Sequence, residues 1–293
     1  MKYFILFIWS IIALSCGDFK EEVEEIPEGK DLVLIHGFLS PEEEMIKVEV
    51  SKTISVFNTM AQNNPIDIKN ALAIKDAIVT IKNENQKEVS LVYSSEDRFY
   101  KIPAADFLIE PGKKYTLKVL AQGKEFTSVC SIPVSKIEDI TANVGVKIIE
   151  GVTQKSLKVK FKDIKGENNF YIVGAKYTLL GSTEFSSSVS FNAEKFVTDI
   201  NGDGLEVFSN GVIVNNDQGL EIKIKVANVD ELIYRTLRAS FVNRNQAENP
   251  FFQPTIPPNN IEGEGGYGVF AGFRLSEKTI KVDPKSITTG QAH

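Results

Sequence analysis

Apolar and polar residues alternate along much of the chain with a period of two. The clearest example is residues 220–226, LEIKIKV, where every second residue is aliphatic. Because successive side chains of a β-strand point to opposite faces, this period is typical of strands with one buried and one exposed face. The pattern predicts a mainly β protein.

The first half of the chain contains seven such segments, separated by turn residues. They cover 32–38, 47–56, 77–81, 89–93, 99–102, 115–121 and 125–132. In Pro111-Gly112, for example, proline presets φ for a turn and glycine tolerates positive φ. Seven short strands in about a hundred residues are typical of a β-sandwich. We therefore expect residues 31–135 to form an immunoglobulin- or transthyretin-like β-sandwich.

Strand patterns resume after this segment and indicate a second domain. Residues 157–161, 170–180 and 220–226 alternate in the same way. We expect residues 136–284 to form a second antiparallel β-sandwich or barrel-like domain. Residues 263–272 contain five glycines, which indicates a flexible loop entering a last strand.

One helix is expected near residues 229–243. Asn228 followed three residues later by Glu231 resembles a capping box at a helix N-terminus. Ile233, Leu237 and Phe241 then recur every four residues and form an apolar stripe. The stripe predicts that the helix packs on the second sheet.

The chain begins with an apolar segment that ends in a cysteine. About a dozen uncharged residues follow Lys2, the length of a signal-peptide core and too short to span a bilayer. Residues 13–16, ALSC, resemble a bacterial lipobox. We expect residues 1–15 to be a lipoprotein signal peptide and Cys16 to carry the lipid that serves as membrane anchor. The alternative is an ordinary secretory signal with an incidental cysteine.

The segments at the two ends of the processed chain are strongly polar. Residues 16–30 are rich in glutamate and predict an acidic tether, or in the alternative a plain linker. Residues 285–293 are expected to be a disordered tail. Acylation of Cys16 would leave Cys130 as a lone buried thiol, so no disulfide is expected.

Composition and motifs argue against several functions. The net charge is −6 and there is no basic block, so a nucleic-acid partner is not expected. Residues 34–38, LIHGF, look like the oxyanion-hole strand of α/β-hydrolases, with His36 at a strand end. That chemistry needs a G-x-S-x-G elbow, which the sequence lacks, and a later histidine, for which only His293 remains. We expect no enzyme, although a carboxylate-based glycan-acting enzyme remains the catalytic alternative.

One short motif suggests a metal ion. Asp199, Asn201 and Asp203 followed by Gly204 have the D-x-N-x-D-G spacing of the first half of an EF-hand loop. Position twelve of that loop would be Asn210 instead of a bidentate glutamate. Calcium is therefore a possible cofactor, and a β-turn is the alternative.

Residues 249–272, which follow the predicted helix, are the candidate interaction surface. This segment is rich in proline and glycine and carries Phe251, Phe252 and Tyr267, with Phe273 just beyond it. Aromatic side chains on loops can anchor a partner protein or stack on a sugar. The alternative is that these rings plug the second domain.

Several of these motifs, taken in order, resemble one known family. Residues 32–56, 77–81, 111–119 and 230–238 are similar to successive strands and the helix of the Bacteroidota outer-membrane lipoproteins classed as domain of unknown function four-two-four-nine. The C-terminal signature of that family reads NPF…P…NI-x-x-G-x-G-x-F. Here it is matched by Asn249, Pro250, Phe251, Pro254, Asn260, Ile261, Gly266, Gly268 and Phe270. The departures are His36, where an acidic residue is usual, and two additional residues at 264–265.

The resemblance implies a lipid-anchored envelope protein, in a family often encoded beside TonB-dependent receptors and without assigned chemistry. We therefore expect a non-catalytic binding or accessory protein of the outer membrane, associated with a TonB-dependent uptake system. The acidic tether favours the cell surface over the periplasmic face. A structural or adhesive surface lipoprotein is the alternative.

Overall fold

The computed structural model describes residues 32–53, 70–149, 152–166, 168–182, 186–200, 202–213 and 219–283. The predicted signal peptide, Cys16, the acidic tether and the tail at 285–293 lie outside these residues, so those predictions stay predictions.

Seven antiparallel strands form the first module, in agreement with the seven predicted segments. They are β1 Val33–Leu39, β2 Met45–Lys52, β3 Ile78–Asn83, β4 Glu88–Ser94, β5 Phe99–Pro103, β6 Lys114–Ala121 and β7 Lys124–Ser131. They are hydrogen-bonded in the order β1-β2-β5-β4-β3-β6-β7. Alternate residues such as Val48, Val50 and Val119 are fully buried, because the period of two places them all on the inner face.

The second module contains two facing sheets. Its strands are β8 Ile140–Ile149, β9 Val152–Lys162, β10 Phe170–Leu179, β11 Ser186–Ser188, β12 Phe196–Thr198, β13 Glu206–Ile213 and β14 Leu220–Val229. One sheet has the order β13-β9-β8, and the other contains β10 and β14. The alternation predicted for 220–226 is confirmed, since Leu220, Ile222, Ile224 and Val226 are all fully buried between the sheets.

One long strand, β15 Gly266–Val282, joins the two modules. Its first part pairs in parallel with β1, from Gly266 opposite Val33 to Gly272 opposite Leu39. Its second part pairs antiparallel with β14, from Phe273 to Val282. The expectation of a flexible loop through residue 272 is therefore wrong. The glycines at 266, 268 and 272 are strand residues, and they are small because other chain segments approach them closely.

The predicted helix exists as α1, Glu231–Asn245, but two details differ from the prediction. Its N-cap is Asp230, whose side chain accepts a hydrogen bond from the Leu232 N–H at 2.8 Å, because β14 continues through Asn228. The buried face consists of Ile233, Thr236 and Ala239, and Leu237 is 36% exposed. The predicted stripe was therefore right at Ile233 and wrong at Leu237. It was right in part at Phe241, which is half-buried and packs against Phe196.

The apolar core is divided into three clusters. The first and second fill the two modules, and the chain passes from one to the other between Ile132 and Ile137. Ile261 and Phe270 return to the first cluster although they follow the second module in sequence. A small third cluster packs α1 on β15, with Ile233 and Val269 among its members. The mainly β fold with one main helix is thus confirmed, whereas the proposed domain limits stay a prediction.

Candidate functional site

The loop that follows α1, residues 249–258, is held in one conformation and is named here the NPF loop. The side-chain amide of Asn243, in the last turn of α1, donates to the Thr255 carbonyl and accepts from the Thr255 N–H, each at 2.9 Å. The Asn249 side chain accepts from the Phe251 N–H at 3.1 Å, which forms a tight local turn. The Tyr267 hydroxyl donates to the Pro257 carbonyl. The loop is thus fixed at both ends and in its middle.

Two large apolar side chains of the NPF loop project into solvent. Phe251 is 93% exposed and Ile256 is 81% exposed. The other three predicted surface aromatics, Phe252, Tyr267 and Phe273, are half-buried. Tyr267 holds the loop, and Phe273 packs against the third core cluster. Of the four aromatic residues predicted to form a surface, only Phe251 is free to contact a partner with its whole ring.

The family-like residues Asn260 and Ile261 close the first module. The Asn260 side chain donates to the Phe270 carbonyl at 2.8 Å and accepts from the Phe270 N–H at 2.9 Å, on the edge of β15 that does not pair with β1. The Ser128 hydroxyl of β7 donates to the Asn260 carbonyl at 2.8 Å. Ile261 is buried in the first core. The segment therefore bridges β15 and β7, where two strand edges would otherwise be left open.

The two glycines of the same signature are required by close backbone approaches. Gly268 has φ +139°, and a Cβ there would lie 1.9 Å from the Ile35 carbonyl oxygen. A Cβ at Gly266 would lie 2.6 Å from the Phe126 ring. Only glycine meets these constraints without displacing β1 or β7. The NI-x-x-G-x-G-x-F part of the family signature thus has an architectural role, and the NPF part shapes an exposed loop.

The predicted calcium loop is only partly described. Asp199 accepts from the Asn169 N–H at 3.1 Å, and Asp203 accepts from the Gly166 N–H at 2.8 Å. Asn201 lies outside the described residues. Within the described ranges, no group of three or more metal-ligating side chains comes together. Both carboxylates therefore act as acceptors that organise a turn, and calcium binding stays a prediction.

His36 and Cys130 are both embedded in strands. His36 lies in the middle of β1, opposite Glu49 and Val269, so the expectation that it ends a strand is wrong. Burial lowers its pKa, and the Glu49 carboxylate opposes this only in part. Cys130 is a free buried thiol, as expected, and burial raises its pKa. A thiol kept protonated is a poor nucleophile, so Cys130 lacks the surroundings of a reactive cysteine.

A charged cleft of about 580 Å³ lies between the two modules. On one wall the Glu42 carboxylate accepts from the Arg274 guanidinium at 2.9 Å and from the Leu275 N–H at 3.1 Å. Burial alone would raise the Glu42 pKa, but these hydrogen bonds and the Arg274 charge outweigh it and lower the pKa. On the other wall, hydrogen bonds from Lys223 and Lys225 lower the pKa of Glu277. Both carboxyl groups are thus held ionised.

Sequence reasoning missed a second cavity, a groove of about 780 Å³ beside β10. Four lysines line it, namely Lys176, Lys195, Lys223 and Lys225. They are far apart in sequence, and each by itself looks like an ordinary solvated strand or loop residue. The pairing of β10 with β14, which places Lys176 directly opposite Lys223, brings them together. In the sequence, only the two alternating lysines at 223 and 225 indicated part of this cluster.

A family model described as domain of unknown function (DUF4249) matches residues 19–279. Among curated proteins, none matches the chain. Within the described residues, no helix has the length and apolar character needed to cross a membrane.

Proposed function

Because the chain belongs to the DUF4249 family, for which no function is known, we propose a function from its own residues. The protein is a lipid-anchored binding protein of the outer membrane that acts as an accessory component of a TonB-dependent uptake system. It binds a partner through the NPF loop and catalyses no reaction. The observation that carries this proposal is the fully exposed Phe251 on a loop held by hydrogen bonds.

Phe251 has the properties of a binding anchor. Burial of a phenylalanine side chain contributes on the order of 1.5–3 kcal/mol, enough to change a dissociation constant by one to two powers of ten. Hydrogen bonds made by the side chains of Asn243, Asn249 and Tyr267 fix the loop before binding. A preformed loop loses little conformational entropy on association, so more of that burial contributes to affinity. Ile256, 81% exposed on the same loop, adds a second apolar contact.

The proposed anchor sets how far the modules stand from the membrane. Fifteen residues separate Cys16 from Leu32, the first described residue. As a random coil, the predicted acidic tether would span roughly 20 Å, and charge repulsion among its glutamates would extend it. The body would therefore stay close enough to the bilayer to contact an integral membrane partner. The same tether supports the preference for the cell surface.

Two carboxylates of the inter-module cleft, Glu42 and Glu277, are unsuited to the acid role in a glycan-acting enzyme. A glycosidase needs a carboxylic acid whose pKa is raised, so that it can donate a proton to the leaving group. Glu42 and Glu277 instead have lowered pKa values and engage in ion pairs with Arg274 or with lysines. The carboxyl groups of Glu42 and Glu277 are therefore ionised, whereas a general acid has to be protonated before it can act.

The proposal is tested by co-purification from cells after extraction with a mild detergent. The wild-type protein is expected to retain a TonB-dependent receptor in stoichiometric amount. The double variant Phe251→Ala, Ile256→Ala should lose the receptor with an unchanged melting curve. The control Leu108→Ala, Val134→Ala removes side chains that are 69% and 71% exposed outside the NPF loop, and should retain it. Absence of a receptor from the wild-type sample would favour the structural or adhesive alternative.

A further inference from the structure

We propose that the groove beside β10 is a binding site for an organic anion with an apolar body, such as an acyl or aryl carboxylate. The site is named here the lysine groove and is lined by Gly174, Lys176, Lys195, Lys223, Lys225 and Phe241, among others. The inference goes beyond the proposed function, since it depends neither on the NPF loop nor on the lipid anchor.

The groove begins where helix α1 stops covering the outer face of β10. Phe170, Ile172, Gly174 and Lys176 share this face, because Tyr171, Val173 and Ala175 between them are buried in the second core. Phe170 and Ile172 pack in the third cluster beneath α1. The next position on the face is Gly174, and the volume of about 780 Å³ is typical of small-molecule sites.

Gly174 keeps the groove open. A Cβ built on it would meet no atom within 4 Å, and its φ lies outside the left-handed region. Neither packing nor backbone conformation therefore requires glycine at this position, although glycine weakens a strand interior. A larger side chain would project into the cavity. The absence of a side chain is explained if the space is used by a ligand.

The charge of the groove is concentrated and incompletely neutralised. Lys176 lies directly opposite Lys223, and Gly174 lies directly opposite Lys225. Three lysines, Lys176, Lys223 and Lys225, therefore lie around Gly174 in the groove. Like charges on directly opposed strand residues are destabilising. Glu277 pairs with Lys223 and Lys225 at 2.7 Å and 2.8 Å. Among the described residues, Lys176 has no carboxylate partner.

Lys195 and Phe241 form the other end of the groove. The Lys195 ammonium lies 4.1 Å from the centre of the Phe241 ring. Burial and the nearby positive charge of Arg244 lower the Lys195 pKa, so an anion placed beside it would relieve an existing electrostatic cost. The Phe241 ring offers apolar surface in the same place. A ligand with both an anionic group and an apolar body satisfies both features, whereas an inorganic anion satisfies only one.

The experiment uses the complete processed chain with Cys16→Ala, so that no detergent competes for the groove. The probes are 8-anilinonaphthalene-1-sulfonate and its uncharged counterpart N-phenyl-1-naphthylamine, titrated by fluorescence, with decanoate as a competitor. We expect one anionic probe per chain, displaced by decanoate. The double variant Lys176→Met, Lys195→Met should bind the sulfonate at least tenfold more weakly and the uncharged probe within about twofold of wild type. Gly174→Leu should weaken both probes at least tenfold.

A matched control is Lys158→Met. Lys158 also lies over a phenylalanine, 4.8 Å from the Phe208 ring, but outside the groove, so this variant should bind as wild type does. The proposal is overturned if wild type does not bind the sulfonate with one-to-one stoichiometry, or if the lysine variant binds it as wild type does. It is also overturned if a folded Gly174→Leu binds normally. Should Gly174→Leu fail to fold by circular dichroism, the lysine variant alone decides.

Discussion

Replacement of Asn260 by alanine tests the architectural role of the closing signature. The Asn260 amide makes a reciprocal pair of hydrogen bonds with the backbone of Phe270, at 2.8 Å and 2.9 Å, on the free edge of β15. Phe270 is fully buried in the wild-type protein, so water replaces the lost partner less readily than at an exposed site. The Phe270 N–H and carbonyl would both be left without a hydrogen bond.

The expected loss of stability is about 2–4 kcal/mol. Each of the two buried polar groups left unpaired costs about 1–3 kcal/mol, and partial relaxation keeps the total in the lower part of the summed range. Asn260→Asp preserves the acceptor for the Phe270 N–H but directs a carboxylate at the Phe270 carbonyl. It should be destabilising at pH 7 and recover stability at acidic pH, where the protonated acid can donate.

The measurement is urea unfolding followed by circular dichroism, since the single tryptophan, Trp9, precedes the predicted processing site. Asn243→Ala is the matched control, because Asn243 makes the same reciprocal pair with exposed Thr255. Water can replace that pair, and the loss should stay below about 1 kcal/mol. Equal losses for the two variants, or an Asn260→Ala variant as stable as wild type, would refute the architectural role.

Three further predictions concern the junction of the modules and the anchor. Gly268→Ala should abolish soluble folded protein, because its Cβ would lie 1.9 Å from the Ile35 carbonyl oxygen, whereas Gly174→Ala, with open space around it, should retain the wild-type yield. Glu42→Gln should lower stability at pH 7 by about 1.5–3 kcal/mol, the range for hydrogen bonds to charged groups. Because the folded Glu42 pKa is lowered, its contribution is complete above the unfolded pKa and is lost as pH falls through the folded pKa. Melting curves of wild type and variant should therefore converge in acid; a constant difference would contradict the assignment. Cys16→Ala should abolish incorporation of labelled palmitate and release the protein from membranes, and continued labelling would show that the lipid is carried elsewhere.

The strands could be predicted from the sequence where apolar residues occupy every second position and all of them are buried. Residues 220–226 alternate without interruption, and all four aliphatic residues are buried in β14. Strand β13, EVFSNGVI, was not predicted, because its polar and glycine residues at 209–211 break the pattern. The helix start was misplaced because Asn228 and Asp230 are equally good caps in isolation. Pairing of Asn228 with β10 and β15 extends the strand and leaves Asp230 as the cap.

The exposed loop could be located from sequence, but its contact residue could not be chosen. Proline and asparagine mark residues 249–258 as irregular. Whether Phe251 or Phe252 faces solvent depends on the turn that Asn249 forms and on contacts from other elements. The lysine groove depends on strand register between residues about fifty positions apart, such as Lys176 and Lys223. Such register is set by long-range pairing, which no local pattern encodes.

The most direct test of the proposed function is photocrosslinking in intact cells with a benzophenone side chain at position 251. If the NPF loop contacts an uptake receptor, the crosslinked product should contain a TonB-dependent receptor, and the same group at position 108 on the first module should give none. Failure to crosslink at position 251, or the same products from both positions, would contradict the account.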